Sequence, residues 1–272
     1  DLDRCYLLYV PPGYDPAQPA PLVASYHGWL SSPNTNRLLT GWSKLAEQKD
    51  FLVAFPQGTS FPQRWDSGST WGVSEVDDVQ FFLDLLDDLT ALAAVDSSRI
   101  YVNGFSNGGG MSVHLGCEAA DRMAAIGSVS GAVVELEDCS PARPLPVMAF
   151  HGTADPIVPY EGGPEPGWLK RNVASVASAP NFFVGAPDWV AAWAENNGCD
   201  TEPETIPPLG DTRGIRYTGC DKDAEVVFYT IEGGGHAWPG GMPLPFVGKT
   251  SKDIDATEEL WSFFQGYSLV DQ

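Results

Sequence analysis

Short runs of apolar residues alternate along the chain with segments whose apolar residues recur at helical spacing. Most of the runs are continuously apolar, which is typical of strands covered on both faces of a sheet. Strands are predicted at residues 4–10, 22–26, 51–55, 99–103, 125–129, 146–150 and 225–231. Helices are predicted at 77–92, directly after Ser106, at 187–196 and at 255–265. This alternation predicts an α/β fold with a mostly parallel central sheet flanked by helices.

No linker divides the 272 residues into two parts, so a single domain over 1–272 is expected. Residues 161–187 are rich in Gly, Pro, Ser and Ala and have weak periodicity. We interpret them either as a lid or cleft wall, or as an ordinary surface excursion. Residues 200–219 have the composition of a loop.

Acidic residues outnumber basic ones by 36 to 15, which gives a formal net charge of −21. A nucleic-acid-binding protein needs clustered Lys and Arg to replace counterions, so this class is excluded. The same charge opposes binding to anionic membranes, and no apolar run approaches the roughly 18 residues of a membrane span. We expect a monomer with no nucleic-acid or membrane partner.

Five cysteines are present, and none of them form a Cys-x-x-Cys pair. A zinc cluster is therefore not indicated. Their spacing suggests two modest loops, Cys117 to Cys139 and Cys199 to Cys220, which would leave Cys5 unpaired inside a strand. Disulfides there would imply an oxidising compartment. The alternative is five reduced cysteines in a cytosolic protein, and the sequence alone does not fix the connectivity.

The strongest chemical motif is Gly104-Phe-Ser106-Asn-Gly108, which stands between an apolar run and a helical segment. In a nucleophile elbow, a Gly-x-Ser-x-Gly serine occupies a strained turn from strand to helix. Glycines are needed on both sides because side chains there would clash with the neighbouring strand and helix. The pentapeptide alone is a weak pattern, but this placement predicts Ser106 as the nucleophile.

A serine hydroxyl needs a base, and the chain has four histidines. In this fold the order along the chain is Ser, then an acid, then His. His236, after Gly233-Gly-Gly and a late strand, satisfies that order, and we predict it as the general base. His27, His114 and His151 are expected to be structural.

The acid that orients the base should follow a strand between Ser106 and His236. Asp155 comes shortly after the predicted strand at 146–150, and we predict it in this role. Asp188 and Asp200 are rivals, but both lie in or beside helical segments.

An oxyanion hole needs two backbone N–H donors, one directly after the nucleophile and one from the loop after an early strand. Asn107 and Trp29 occupy those positions, and we predict their amides as the donors. Trp238 and Trp29 are also predicted to line the substrate pocket, because their neighbours lie at the catalytic groups. Packing in the core is the alternative for both rings.

The segments His27-Gly-Trp29, Gly104–Gly109, His151–Tyr160 and Gly233–Gly240 together resemble the secreted feruloyl esterases. They resemble equally the extracellular polyhydroxybutyrate depolymerase-like esterases. The resemblance covers most of the chain. It implies a secreted serine esterase of the α/β-hydrolase fold, with the triad Ser106, Asp155 and His236 and no metal or organic cofactor. It also favours disulfides near Cys117–Cys139 and Cys199–Cys220.

The resemblance implies hydrolysis of feruloyl esters of plant cell-wall polysaccharide through an acyl-enzyme. A polyester depolymerase, or a short-acyl or acetylxylan esterase, would use the same chemistry on another substrate. A serine peptidase on the same fold is a further alternative. A non-catalytic polysaccharide-binding module is an alternative from a different class, but an intact Ser, Asp and His set argues against it.

Overall fold

A computed structural model describes residues 3–68, 76–134, 136, 139–166 and 182–269. Strands β1 to β11 are Tyr6–Tyr9, Ala20–Tyr26, Leu52–Pro56, Val95–Phe105, Ala125–Val129, Val147–Gly152, Gly163–Pro164, Phe182–Phe183, Glu204–Leu209, Thr212–Tyr217 and Val226–Ile231. Helices α1 to α6 are Pro33–Thr40, Trp42–Lys49, Asp78–Leu92, Asn107–Glu118, Ala186–Asn196 and Ala256–Phe264. Short 3-10 turns cover Ala120–Arg122 and Asp221–Asp223.

Nine of these strands form one sheet in the order β1-β3-β2-β4-β5-β6-β11-β10-β9. The central strands β3, β2, β4, β5, β6 and β11 are parallel to their neighbours within that group. Strand β1 pairs antiparallel with β3 at one edge, and β10 and β9 extend the other edge antiparallel. The predicted mostly parallel sheet with flanking helices is confirmed.

Helices cover both faces of the sheet, which explains the continuously apolar strands. Neighbouring residues of β2 enter opposite cores: Leu22 and Ala24 join one cluster, and Val23 joins the other. The first cluster receives apolar side chains of α3, α4 and α5, and the second receives those of α2 and α6. The parallel strands are thereby fixed from both sides, so the loops at their carboxyl ends start from rigid positions.

Two regions of the described residues differ from the expectation. Residues 200–219 are not a plain loop, because Glu204–Leu209 and Thr212–Tyr217 form an antiparallel hairpin on β11. Helices α1 and α2 also lie where no helix was predicted. The outer strand β9 carries Pro207 and Pro208, and its register with β10 shifts at that point.

Disulfides join Cys117 to Cys139 and Cys199 to Cys220. This is the pairing that the resemblance favours, and it contradicts the alternative of five reduced cysteines. Cys5 is free and exposed, and it precedes β1 rather than lying inside the strand. Among the described residues, no helix has the length and apolarity needed to cross a membrane.

The segment at 161–187 is described only at its two ends, because 167–181 lie outside the described residues. The ends form a short antiparallel ribbon in which Gly163 faces Phe183 and Pro164 faces Phe182. The Val184 N–H donates to the carbonyl of Val133 over 2.9 Å, which holds the returning end against the loop after β5.

Candidate active site

Ser106 lies at the sharp turn between β4 and α4, where the central strand of the parallel group ends. Its backbone has φ 58° and ψ −121°, a positive-φ conformation that is rare for a residue with a side chain. The turn is held by bonds of 3.0 Å from the Ser106 N–H to the Val129 carbonyl and from the Ala132 N–H to the Ser106 carbonyl. The neighbouring strand therefore fixes the strained turn.

The two glycines of the pentapeptide permit this turn, because other backbone atoms lie where their side chains would be. A Cβ on Gly104 would lie 2.0 Å from the carbonyl oxygen of Gly108, and one on Gly108 would lie 2.3 Å from that of Tyr26. Gly28, in the loop after β2, would place a Cβ 3.2 Å from the Cβ of Ser106. The loop that carries Trp29 is thus in contact with the serine.

The Asp155 carboxylate meets the imidazole of His236 on the other side of the elbow. His236 Nδ1 lies 2.7 Å from Asp155 Oδ2, and both side chains are buried. Because a carboxylate only accepts, Nδ1 carries the proton and Nε2 is left with a lone pair. The ring of Phe105, the residue before Ser106, lies 4.9 Å from the His236 ring. The structure therefore brings the predicted acid and base together at the elbow.

Two loops are joined to each other to make this pair. The Thr153 N–H donates to the Ile231 carbonyl, and the Ala154 N–H donates to the Gly234 carbonyl over 2.9 Å. In return, the Gly233 N–H donates to the Thr153 hydroxyl over 2.8 Å. Since β6 and β11 are parallel neighbours, their carboxyl ends place the acid loop and the histidine loop side by side.

Hydrogen bonds also set the charge of Asp155. Its Oδ1 accepts the N–H groups of Ile157 and Val158 over 2.8 and 2.9 Å. Burial alone would raise the pKa of this carboxyl, but the charge of His236 and the contacts with His151 and His236 hold its pKa well below the ordinary range. The carboxylate therefore stays ionised beside the imidazole at neutral pH.

The groups that surround the two predicted oxyanion donors, Asn107 and Trp29, include neutral side chains that hydrogen-bond to backbone. The side chain of Asn107 accepts the Trp65 N–H at 2.8 Å and donates to the Trp65 carbonyl at 3.2 Å. The Trp65 indole N–H donates to the His27 carbonyl over 2.8 Å, which ties the same group to the loop before Trp29. The first amides of α4, beginning at Asn107, have no acceptor within the helix. These bonds connect Asn107, the first predicted donor, through Trp65 to the loop that carries Trp29, the second.

His27 is structural in this network, as predicted. Its Nε2 accepts the Gly58 N–H over 2.9 Å, so the ring proton is on Nδ1, 2.8 Å from the Gly28 carbonyl. Burial lowers its pKa to about 4, and the bond to Gly28 opposes that shift only in part. The imidazole therefore stays neutral at working pH and adds no charge to the oxyanion side.

The two predicted substrate-binding tryptophans lie in different surroundings. Trp238 is fully buried, and its indole N–H donates to Thr257 Oγ1 over 2.9 Å. Its ring has no surface to offer a ligand, so the structure favours the core-packing alternative for it. Trp29 is partly buried and packs against an apolar cluster described below.

That apolar cluster lies between the elbow and the acid loop. Its buried members are Ala132, Val158 and Phe183, and Trp29, Val134 and Ile157 pack on it. Ala132 is bonded to the Ser106 carbonyl, and Ile157 and Val158 are bonded to Asp155. An apolar surface therefore adjoins both halves of the site.

Several residues with a place in the site were missed by the sequence interpretation. The side chain of Asn107 and the buried Trp65 are joined across 42 positions of sequence, so no local pattern indicates the contact. His151 lies 3.4 Å from Asp155, although only a structural role was expected for it.

The rival acids Asp188 and Asp200 lie elsewhere, in the first turn of α5 and beside Gly219. Within the described residues, no group of three His, Cys, Asp or Glu side chains is placed to hold a metal ion.

Comparisons with known proteins find esterases among the matches. A family model described as phospholipase/carboxylesterase matches residues 77–165. Feruloyl esterase B of Piromyces equi is 35% identical over 253 residues, which are 90% of this chain and 45% of that protein. The chain thus spans less than half the length of this relative. Feruloyl esterase C of Emericella nidulans is 29% identical, with 96% of this chain and 83% of that protein covered.

A solved structure of an acetyl xylan esterase from Aspergillus awamori has the same fold. It matches with a TM-score of 0.66 over 96% of this chain and 93% of that chain, at 14% identity. The resemblance to feruloyl esterases indicated by the motifs is confirmed by the comparisons in sequence. The chain therefore shares its fold with this acetyl xylan esterase and is similar in sequence to feruloyl esterases.

Proposed function

We propose that this protein is a serine carboxylesterase that cleaves hydroxycinnamoyl esters of plant cell-wall polysaccharide. The observation that carries the proposal is the buried bond of 2.7 Å between His236 Nδ1 and Asp155, beside a serine at a strained elbow. Ser106 is the nucleophile, His236 the general base and Asp155 the group that orients the base. Relatives named as feruloyl esterases support the choice of substrate.

The reaction follows from the protonation state of the imidazole. His236 Nε2 takes the proton of the Ser106 hydroxyl as the oxygen attacks the ester carbonyl carbon. The backbone amides of Asn107 and Trp29 hold the oxyanion that forms, and each such donor contributes roughly 3–4 kcal/mol in the transition state. His236 then gives the proton to the leaving alcohol. Water, activated by the same nitrogen, cleaves the acyl-enzyme and releases the acid.

The apolar cluster supports an aromatic acyl group as the substrate. Trp29, Val134 and Ile157 contribute apolar surface beside Ser106 and Asp155, and a flat ring placed there loses contact with water. The described end of 161–187 adds Phe183 to this cluster, which supports its role as a wall of the cleft. Two disulfides support a secreted enzyme, because they persist in oxidising compartments.

The test is a panel of substrates with the parent protein and Ser106→Ala. It contains methyl ferulate, feruloylated xylan, p-nitrophenyl acetate, acetylated xylan and polyhydroxybutyrate. We expect ferulate release by the parent and a loss of about 10⁴-fold or more with Ser106→Ala. Equal activity of both proteins would overturn the triad. Serine-dependent activity confined to acetyl esters or to the polyester would keep the chemistry and change the substrate.

A further inference from the structure

A second buried histidine faces the carboxylate of Asp155. His151 is the penultimate residue of β6, is 3% exposed, and lies with its Nε2 2.9 Å from the Val158 carbonyl oxygen and 3.4 Å from Asp155 Oδ2. The second distance is too long for a strong hydrogen bond but short enough for attraction between an N–H dipole and a charge. The chemistry described so far does not use this residue.

The proton on His151 can be assigned from its partners. A backbone carbonyl only accepts, so Nε2 carries the hydrogen in the neutral ring. Its N–H therefore points its positive end toward the two oxygens, one on Val158 and one on Asp155. The ring also packs edge-on at 6.0 Å from Tyr160, whose hydroxyl is 2.8 Å from that of Thr230. The imidazole is thus held in place from β6 and β11.

Contacts among His151, Val158 and Asp155 form a ring around the loop that carries Asp155. His151 Nε2–H donates to the Val158 carbonyl, and the Val158 N–H donates to Asp155 Oδ1 over 2.9 Å. Oδ1 is occupied by backbone amides, which turns Oδ2 toward His236 and His151. The end of a rigid strand therefore restrains both the loop and the carboxylate that it carries.

We infer that His151 is a positioning residue for the proposed reaction, which holds the Asp155 carboxylate in the orientation that His236 requires. The inference rests on the proposed function, since it assigns a task within the same site. The polar contacts of His151 are with the Val158 carbonyl and the Asp155 carboxylate, so its effect on the reaction passes through Asp155. Removing its N–H should slow the chemical step and leave substrate affinity unchanged, because orientation of the base matters for catalysis and not for binding.

The test is a double-mutant cycle measured with p-nitrophenyl acetate. The proteins are the parent, His151→Leu, His151→Gln, Asp155→Ala and the double variant His151→Leu/Asp155→Ala. The amide of Gln places a donor near the original Nε2, whereas Leu removes it. We expect His151→Leu to lower kcat about 10-fold at unchanged KM, and His151→Gln to stay within about threefold of the parent. In the Asp155→Ala background, His151→Leu should change kcat by less than about twofold.

A merely structural role gives a different pattern. An equal loss from His151→Leu in both backgrounds, or an equal loss with Gln and Leu, would overturn the inference. Thermal unfolding confirms that each variant is folded, and His151→Asn, whose amide is too short to reach Val158, replaces Leu if that variant does not fold. Failure of the proposed function is separate, because it shows as full activity of Ser106→Ala.

Discussion

The two sides of Ser106 use buried histidines in opposite ways. On the acid–base side, His236 is paired with an ionised carboxylate at 2.7 Å. On the side of the predicted oxyanion donors, both ring nitrogens of His27 are hydrogen-bonded to backbone groups, and burial lowers its pKa to about 4. In the proposed reaction the imidazole of His236 carries the proton, whereas that of His27 stays neutral and braces the neighbouring loops. The difference lies in whether a negative charge accompanies the ring.

The largest expected effect comes from removing that charge. Asp155→Asn should lower kcat for p-nitrophenyl acetate by about 10⁴-fold with little change in KM, because the amide can offer its own N–H to His236 and stabilise the wrong tautomer. Asp188→Asn is the matched control, since Asp188 is the rival acid in the first turn of α5. It should stay within about twofold of the parent. Comparable losses of kcat in both variants would contradict the role of Asp155 as the acid that orients His236.

A smaller effect, on stability, tests the neutral side. In the unfolded chain His27 binds a proton below its ordinary pKa of 6.5, whereas in the folded protein burial lowers that pKa to about 4. The free energy of unfolding should therefore fall as pH is lowered from about 6.5 to about 4. Between about pH 7 and about pH 4.5, the loss from this one group amounts to about 2–3 kcal/mol.

The variant His27→Gln isolates the contribution of His27 from those of carboxyl groups that titrate in the same range. Urea unfolding of both proteins at the two pH values gives the comparison. The parent should lose about 2–3 kcal/mol more than His27→Gln on acidification. Identical losses of unfolding free energy would show that His27 is protonated in the folded protein in this pH range. The contrast between a neutral His27 and a charge-paired His236 would then be wrong.

The smallest expected effect separates the two tryptophans. Trp29→Leu keeps the backbone amide and should raise KM for methyl ferulate about fivefold, with KM for p-nitrophenyl acetate unchanged. Trp238→Phe should leave both KM values within about twofold and cost about 1 kcal/mol of stability, the contribution of one hydrogen bond to Thr257. A higher KM for methyl ferulate with Trp238→Phe would instead support the prediction that the Trp238 ring contacts the substrate.

Much of the parallel core could be predicted from sequence because its strands are continuously apolar. The strand predicted at 125–129 is found at Ala125–Val129, and the helix predicted at 77–92 begins one residue later. The hairpin β9–β10 was missed because its outer strand is exposed and contains prolines. Gly210-Asp211 between the two strands is a turn signal that could have indicated it. Helix α1 likewise has a start signal, Ser32 before Pro33, that outweighs its weak helix formers.

The site divides in the same way. Ser106, Asp155 and His236 follow strand ends, so parallel topology puts them at the same edge of the sheet, where Asp155 and His236 are in contact. Asn107 with Trp65, and His151 with Val158, depend on side-chain contacts that sequence spacing does not encode. Trp238 was predicted to line the pocket because it is near His236 in sequence, yet its ring is fully buried. Nearness in sequence does not determine which way a ring points.

The prolines of β9 have a consequence beyond this molecule. An outermost strand offers a row of unpaired amides on which a second chain can grow. Pro207 and Pro208 lack those donors, and they lie where the register of β9 shifts. Pairing with a further strand is interrupted there, which opposes the joining of two sheets through this edge. The same prolines that hid the hairpin from sequence patterns therefore make this edge of the sheet a poor template for the strand pairing that begins fibrous aggregation.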